Sequence, residues 1–264
     1  MLKVKNVSKT FNPGTVNEKK ALDNISLELE DGDFVTVVGG NGAGKSTLLN
    51  MIAGVYPIDC GHIVLDNVDI STEPEYKRAK LIGRVFQDPL MGTAGDMGIA
   101  ENMAMAARRG KKRTLAWGVT KAEQKQFKGQ LERLGLGLED RLSAKVGLLS
   151  GGQRQALTLL MASLVKPKLL LLDEHTAALD PLTARKVLDL TNEIVNEEKL
   201  TTLMITHNMR DAIRIGNRLI MMYDGRIILD VRGDEKKKLT VEDLHAKFRE
   251  VANEEFSDDR AVLI

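Results

Sequence analysis

A glycine-rich segment near the N-terminus has the composition and spacing of a phosphate-binding loop. Residues 39–47 read G-G-N-G-A-G-K-S-T, which matches G-x-x-x-x-G-K-[ST] between an apolar run and a helical pattern. Glycines let successive N–H groups turn toward a phosphate, and the following helix N-terminus adds positive charge. Lys45 supplies a cation for the β- and γ-phosphates, and the Ser46 hydroxyl is a hard ligand for Mg²⁺. The motif predicts a nucleotide site in Gly39, Gly40, Asn41, Gly42, Ala43, Gly44, Lys45, Ser46 and Thr47.

A second pair of glycines stands before another helical pattern. Residues 149–153 read L-S-G-G-Q, and the helical pattern at 153–165 predicts a helix directly after the glycines. Ser150, Gly151 and Gly152 would then form a helix N-terminus able to receive an anion. An ordinary serine N-cap with a glycine turn has the same sequence, so the motif alone leaves both interpretations open.

Two adjacent acids close an apolar run. Residues 169–173 read L-L-L-L-D, and Glu174 follows them. A buried parallel strand of this composition would place Asp173 and Glu174 at the carboxyl edge of a sheet, where such sheets bind ligands. A solvated acidic pair at the start of a loop is the alternative interpretation.

Taken in order, these three segments resemble the ABC family of ATPases, and the resemblance covers essentially the whole chain. It implies that Asp173 holds Mg²⁺ through water and that Glu174 polarises the attacking water. In that family the L-S-G-G-Q segment meets the γ-phosphate of an ATP held by another subunit, so hydrolysis needs a dimer. The residues expected to contact the partner's ATP are Ser150, Gly151, Gly152 and Gln153.

Four further positions match nucleotide-contacting residues of the family. Asp180 resembles the loop that signals across the dimer, and Gln87 resembles the glutamine that reaches Mg²⁺ and the γ-phosphate. His207 resembles the histidine that contacts the γ-phosphate, and Phe11 stands where the family stacks a ring on adenine. A structural role for Gln87 and core packing for Phe11 are the alternatives. The expected catalytic residues are Lys45, Gln87, Glu174 and His207, and the expected Mg²⁺ ligands are Ser46, Gln87 and Asp173.

Two positions depart from the family's common pattern. His175 stands where many members carry proline, and Asn208 replaces the usual acid after the histidine. Neither departure removes a catalytic group, so they affect loop rigidity and fine tuning. Because every ATP-contacting motif is intact, a homodimer with two identical sites is the simpler expectation.

The elements implied by the apolar patterns form an α/β fold. Alternating residues at 2–8 and 25–30 predict antiparallel strands, and apolar runs such as Phe34 to Val38 predict a parallel-rich core. The family resemblance implies that this core is a RecA-like P-loop core. An inserted helical subdomain is expected at about 88–166, because the chain from Met97 to Lys166 has few strand patterns. The core and antiparallel β portion would occupy 1–87 and 167–232. A helical tail would occupy 233–264, with one helix capped by Thr240 and Asp243.

Composition limits the setting in which the chain works. The 264 residues are 43% hydrophobic and 28% charged, with a formal net charge of +1, which gives no global case for nucleic-acid binding. The single cysteine, Cys60, suits a reducing cytosol. The alternating N-terminus predicts a strand rather than a signal peptide, and no apolar stretch approaches the ~20 residues of a membrane span. We therefore expect a peripheral protein on the cytoplasmic side of the membrane.

Among ABC proteins, transport is the leading class. DNA-repair members separate their halves by long coiled coils, and translation members carry two nucleotide domains, neither of which is present here. Segments such as G-R-V-F-Q-D-P resemble importer ATPases tied to aromatic amino acids, which implies a separate permease and an extracytoplasmic solute-binding protein. Efflux or lipoprotein release remains an alternative, because no residue of the ATPase touches the cargo.

A basic cluster lies within the predicted helical insertion. Arg108, Arg109, Lys111, Lys112 and Arg113 fall within six positions, and Trp117 follows them. A solvated surface loop is one interpretation. The other is a position near anionic lipid headgroups or acidic permease loops.

Overall fold

The computed structural model describes residues 1–111 and 118–262. The strands in these residues are β1 (Leu2–Phe11), β2 (Lys19–Leu29), β3 (Phe34–Gly39), β4 (Cys60–Leu65), β5 (Val68–Asp69), β6 (Ile82–Val85), β7 (Leu169–Asp173), β8 (Thr202–Ile205), β9 (Arg218–Tyr223) and β10 (Arg226–Arg232).

The α-helices described are α1 (Lys45–Ala53), α2 (Glu75–Arg78), α3 (Ile99–Ala107), α4 (Lys121–Glu132), α5 (Gly151–Ser163), α6 (Pro181–Glu197), α7 (Met209–Arg214), α8 (Gly233–Lys238) and α9 (Val241–Val262). None of them combines the length and apolarity that a bilayer crossing requires.

The strands form two sheets. A six-stranded sheet has the order β10-β9-β3-β8-β7-β6 and is parallel except for the β9–β10 pair. A four-stranded antiparallel sheet has the order β2-β1-β4-β5. Because β3, β8 and β7 are parallel neighbours, the segments that follow them leave the sheet at one edge, which gathers the phosphate loop, Glu174 and His207.

The main core lies between the two sheets and encloses α1. Leu48 and Ile52 of α1 pack in the same cluster as Leu22 and Ile25 of the antiparallel sheet. Along β7 the leucines alternate between the two faces: Leu169 and Leu171 join this cluster, whereas Leu170 and Leu172 join another one that contains α6 residues. This alternation is the period of two that a strand imposes, and it explains why β7 is apolar on both sides.

The helical segment has a core of its own. Ile99, Met103, Phe127, Leu131 and Leu157 of α3, α4 and α5 form a buried cluster distinct from that around α1. This separate core supports the predicted subdomain at about 88–166, whose boundaries stay a prediction.

The last described helix packs behind the phosphate loop. Leu244 of α9 is fully buried, and the Phe248 ring meets Tyr223 of β9 edge-on, with ring centroids 5.3 Å apart. A Cβ at Gly40 would lie 3.5 Å from the Phe248 ring. The ring of Phe248 on α9 therefore packs beside the phosphate loop.

The α/β class with parallel-rich and antiparallel sheets and helices between residues 97 and 166 is confirmed. Several details were wrong. The two antiparallel strands are longer than predicted, at Leu2–Phe11 and Lys19–Leu29, so the turn between them is only residues 12–18. The tail holds two helices rather than one, because Gly233–Lys238 forms α8 before Thr240 and Asp243 cap α9 as predicted.

Candidate active site

The phosphate loop runs from the end of β3 to the start of α1 and lines a cleft of about 330 Å³. Gly44 is a position where only glycine fits, since its φ is 95° and a Cβ there would lie 2.5 Å from the Ala21 carbonyl oxygen. The cleft is lined by Phe11, Lys19, Ala21, Asn41, Gly42, Ala43, Gly44, Lys45, Ser46, Thr47, Glu174 and His207.

Lys45 is held against its own loop. Its Nζ donates to the carbonyl oxygens of Gly39 at 2.8 Å and Gly40 at 2.9 Å, and the residue is only 5% exposed. Burial lowers the pKa of Lys45, while the nearby Glu174 and Asp173 carboxylates act to raise it. The ammonium is thus fixed against the backbone of the phosphate loop.

A hydroxyl and a carboxylate meet beside the lysine. The Ser46 hydroxyl donates to Asp173 Oδ1 at 3.5 Å, and Arg84 Nη2 lies 3.7 Å from Asp173 Oδ2. Burial raises the pKa of Asp173, and the Arg84 guanidinium opposes that rise. No cluster of three or more His, Cys, Asp or Glu side chains stands ready for a metal in the described part of the chain. This donor set suits Mg²⁺, which takes one or two protein oxygens and completes its shell with phosphates and water.

Glu174 and His207 form the other side of the cleft. His207 Nε2 lies 2.6 Å from Glu174 Oε1, and the side chains are 47% and 10% exposed, respectively. The sheet brings them together, because β7 and β8 are parallel neighbours and the Glu174 N–H donates to the Ile205 carbonyl at 3.1 Å. Glu174 has a φ of 46°, in the left-handed region. Such a conformation costs roughly 1–3 kcal/mol, so surrounding contacts must hold the backbone in place.

Phe11 ends β1 at the rim of the cleft. Its ring is half-buried and meets Tyr56 edge-on, with centroids 5.3 Å apart. Phe11 belongs to none of the buried apolar clusters, which favours the adenine-stacking hypothesis over core packing. Its contact with a nucleotide stays a prediction.

The L-S-G-G-Q segment lies outside this cleft. Ser150 caps α5, accepting from the Gln153 N–H at 3.3 Å while its own N–H donates to Gln153 Oε1 at 3.2 Å. Ser150 is therefore an ordinary N-cap, and this role is compatible with an anion site at the same helix start. The chain leaves Ser150 and Gly151 exposed, which an anion site facing another molecule also requires.

The segment instead contacts the loop that contains Asp180. A Cβ at Gly152 would lie 2.1 Å from Thr183 Cγ2, and Asp180 caps α6 by accepting from the Thr183 N–H at 3.1 Å. Two leucines beside these caps are largely in solvent, since Leu148 is 73% and Leu182 is 77% exposed. The predicted site residues therefore lie in two places. One is the cleft around the phosphate loop, and the other is an exposed patch at the starts of α5 and α6. Gln87 is exposed after β6 and lines neither.

Part of the basic cluster points inward. Arg109 donates through Nη1 to the Ala162 carbonyl at 3.0 Å and through Nη2 to the Val165 carbonyl, so it caps the end of α5. Arg108 pairs with Glu123 at 2.9 Å. These contacts give both residues structural roles. Lys112, Arg113 and Trp117 lie outside the described residues.

Two further residues bear on the site: Lys19, which the sequence analysis did not single out, and His175, whose burial it did not predict. Lys19 lines the cleft from β2, a position that depends on strand register and carries no local motif.

His175 is 2% exposed, and its Nε2 lies 2.9 Å from Thr191 Oγ1. Because Thr191 donates its hydroxyl proton to the Val187 carbonyl at 2.8 Å, His175 is the donor to Thr191. Burial lowers the pKa of His175 to about 4. This hydrogen bond ties the chain after Glu174 to α6.

Comparison with known proteins agrees with this arrangement. Residues 22–177, more than half of the chain, match the model of the ABC transporter family. A tyrosine transport ATP-binding protein of Clostridioides difficile is 47% identical over 249 residues, covering 94% of this chain and 98% of that protein. The thiamine import ATP-binding protein ThiQ of Escherichia coli is 35% identical over 212 residues, covering 80% and 86%.

Solved structures give the same answer. The ATP-binding cassette MJ0796, in a dimeric post-hydrolysis state with ADP and Pi, superposes with a TM-score of 0.75 at 28% identity, covering 88% of this chain and 98% of that one. The protein cbiO1 of Clostridium perfringens, part of the ABC transporter complex cbiONQ, gives 0.73 at 28% identity, covering 89% of each chain. The chain therefore belongs to the ABC transporter family, as an ATPase subunit that works with ATP and Mg²⁺.

Proposed function

We propose that this chain is the ATPase of an importer for an aromatic amino acid such as tyrosine. The observation that carries the proposal is its 47% identity, over 94% of its length, to a tyrosine transport ATP-binding protein. Similarity to a thiamine import protein supports the inward direction but is weaker, at 35% identity. The ATPase itself does not contact the cargo, so substrate choice would reside in its partners.

The proposed chemistry follows from the Glu174 and His207 pair. His207 Nε2 lies at Glu174 Oε1, which leaves Oε2 free to accept a proton from water. Oε2 has no hydrogen bond to the described residues, so it is the oxygen proposed to take the proton. The water oxygen attacks the γ-phosphorus in line, the bond from the γ-phosphorus to the bridging oxygen breaks, and ADP and inorganic phosphate leave. Because His207 is nearly half exposed, its ring has room to turn from Glu174 toward the γ-phosphate and donate to it.

The phosphates are held by the residues around α1. The loop glycines offer their N–H groups, and Lys45 offers its ammonium to the β- and γ-phosphates. Ser46, Asp173 and Gln87 would hold Mg²⁺. When bound, Mg²⁺ neutralises charge that develops on the phosphate oxygens.

The exposed patch supplies the second half of each site in the proposed homodimer. Ser150, Gly151, Gly152 and Gln153 would contact the γ-phosphate of the ATP on the partner, and Asp180 would lie at the same interface. The exposed leucines beside them suit a face that another protein covers. The dimeric MJ0796 structure with ADP and Pi supports this arrangement.

The remaining partners are proposed on the same basis. The dimer would sit at the cytoplasmic face of the membrane against a permease, as the membership of cbiO1 in a transporter complex suggests. An extracytoplasmic solute-binding protein would deliver the substrate.

Uptake of labelled tyrosine tests the transport proposal. Cells that lack the chromosomal copy are complemented with the wild-type chain or with Glu174→Gln, which serves as a matched inactive control. We expect uptake only with the wild type, and we expect competition by unlabelled phenylalanine or tryptophan but not by leucine or thiamine. Uptake that is indifferent to the deletion would disprove the import of tyrosine. Raised retention of a preloaded amino acid in the deletion strain would establish the efflux alternative instead.

A further inference from the structure

The hairpin that carries Phe11 also carries a lysine to the cleft. Strands β1 and β2 pair antiparallel, and the register sets Phe11 directly opposite Lys19. The turn between them is closed by hydrogen bonds, with the Gly14 N–H donating to Glu18 at 2.6 Å and the Thr15 hydroxyl donating to the Asn12 carbonyl at 2.8 Å. The position of Lys19 relative to the ring of Phe11 is therefore set by the hairpin.

The ammonium of Lys19 reaches the phosphate loop. A Cβ built on Gly42 would lie 3.1 Å from Lys19 Nζ, which is the nearest atom to that position outside the loop itself. Gly42 has a φ of 80°, and its exposed Cα faces the same cleft as Lys19. The ammonium of Lys19 thus lies beside the phosphate loop, in the cleft that Phe11 also lines.

Lys19 has no anionic partner among the residues for which the structure gives side chains, whereas its neighbour Lys20 does. Lys20 pairs with Asp23, which also accepts from Arg226 at 2.6 Å. Lys9, on the adjacent strand, pairs with Asp59 at 2.7 Å. Of these three lysines, Lys19 is the one that lines the cleft and the one that forms no ion pair with the described side chains.

We propose that Lys19 is a further ATP-binding residue, whose ammonium contacts the α- and β-phosphates of the nucleotide. With the adenine on Phe11 and the terminal phosphates at Lys45, the phosphates nearest the ribose pass beside Gly42 and within reach of Lys19. Lys19 would supply charge from β2, whereas Lys45 supplies it from α1. The inference depends on ATP binding, which the family establishes, and is independent of the transported solute.

Nucleotide affinities of paired variants test the proposal. Lys19→Gln removes the charge, and Lys20→Gln is the matched control, since it removes the same charge one residue away. Binding of ADP, a non-hydrolysable ATP analogue and adenosine is measured by calorimetry with Mg²⁺ present. We expect Lys19→Gln to weaken ADP and the ATP analogue alike by about five- to tenfold, the scale of one partly exposed charge contact. Adenosine binding should not change, and Lys19→Arg should restore affinity.

The salt dependence and the kinetics provide independent readouts. The difference between Lys19→Gln and wild type should shrink at high ionic strength, because the contact is exposed to solvent. KM for ATP should rise while kcat is kept, as the loss of uniform binding requires. Equal affinities in Lys19→Gln and Lys20→Gln would overturn the proposal. A loss for the ATP analogue but not for ADP would also overturn it, since the contact would then be to the γ-phosphate.

Discussion

Two helices of this protein begin at glycine-rich segments, and their surroundings differ: α1 follows Gly44, whereas α5 begins with Gly151 and Gly152. The loop before α1 lies in a cleft with Lys45 folded across it, and the start of α5 stays at the surface beside two exposed leucines. Both have the N–H groups and dipole that attract an anion. Among the described residues, only the first also has a buried lysine ammonium, that of Lys45, folded against its backbone. The comparison teaches that an anion site is made by what surrounds a helix N-terminus, and that the second must find its surroundings on another molecule.

The largest expected effect lies on the cleft side. Glu174→Gln keeps the shape of the side chain but removes the base, so ATP hydrolysis should fall by about 10²–10⁴-fold while ATP binding survives. The variant should accumulate as an ATP-bound dimer on a sizing column, because both helix N-termini remain intact.

Lys45→Ala is the contrasting variant, since it should lose nucleotide binding and stay monomeric with ATP. Turnover near the wild-type rate in Glu174→Gln, or a failure to dimerise with ATP, would remove Glu174 from its proposed role.

The buried imidazole behind the cleft should give the next largest effect, on stability rather than activity. The pKa of His175 is about 4 in the folded protein and 6.5 when solvated, so folding favours the neutral ring. The contribution of the neutral His175 ring to the free energy of unfolding is complete above pH 6.5. It falls by up to about 3 kcal/mol as the pH drops from 6.5 to about 4. Chemical denaturation of the nucleotide-free protein in EDTA measures the free energy of unfolding at each pH. For His175→Gln this free energy should depend less on pH between 6.5 and 4 than it does for the wild type. If the free energies of unfolding of the wild type and His175→Gln depended on pH in the same way, the ring would be solvated in the folded state.

The ring at the rim of the cleft should matter less. If Phe11 stacks on adenine, Phe11→Ala should weaken ATP binding by roughly 1–3 kcal/mol, and Phe11→Tyr should be nearly neutral. Calorimetric titration measures the affinity, and thermal unfolding without nucleotide measures stability. A loss of stability with unchanged affinity would restore the core-packing alternative.

Ser150→Ala should have the smallest effect on stability. It also gives the sharpest test of the exposed patch at the starts of α5 and α6. Removing this N-cap should cost about 1 kcal/mol of unfolding free energy. Thr120→Ala is a matched control, because Thr120 caps α4 with the same reciprocal pattern through Glu123. Both variants should lose similar stability, but only Ser150→Ala should lower ATP hydrolysis. Equal activities would mean that Ser150 is a cap and nothing more.

The sequence predicts the parts of the site that are local in the chain. The spacing of Gly44, Lys45 and Ser46 fixes a strand, loop and helix in succession, and Asp173 with Glu174 closes an apolar strand. The edge on which these groups meet follows from parallel pairing. Local patterns are therefore sufficient for the cleft's main groups.

The parts that escaped prediction depend on distant contacts. Lys19 faces the cleft because of the register between β1 and β2, and that register shifts along the ladder in a way that residue types do not reveal. Arg109 belongs to a basic run, but its contacts with carbonyls at the end of α5 decide its orientation. His175 stands beside the catalytic acid, and its buried partner Thr191 lies on the next helix.

The packing of Phe248 beside Gly40 has a consequence for the protein during its synthesis on the ribosome. The two residues are 208 positions apart (248 − 40), so a ribosome that makes about 5–20 residues per second needs about 10–40 s to pass from one to the other. During that interval the nascent chain has its phosphate loop but not the helix that backs it. A growing polypeptide should therefore acquire full ATP affinity only after α9 has emerged.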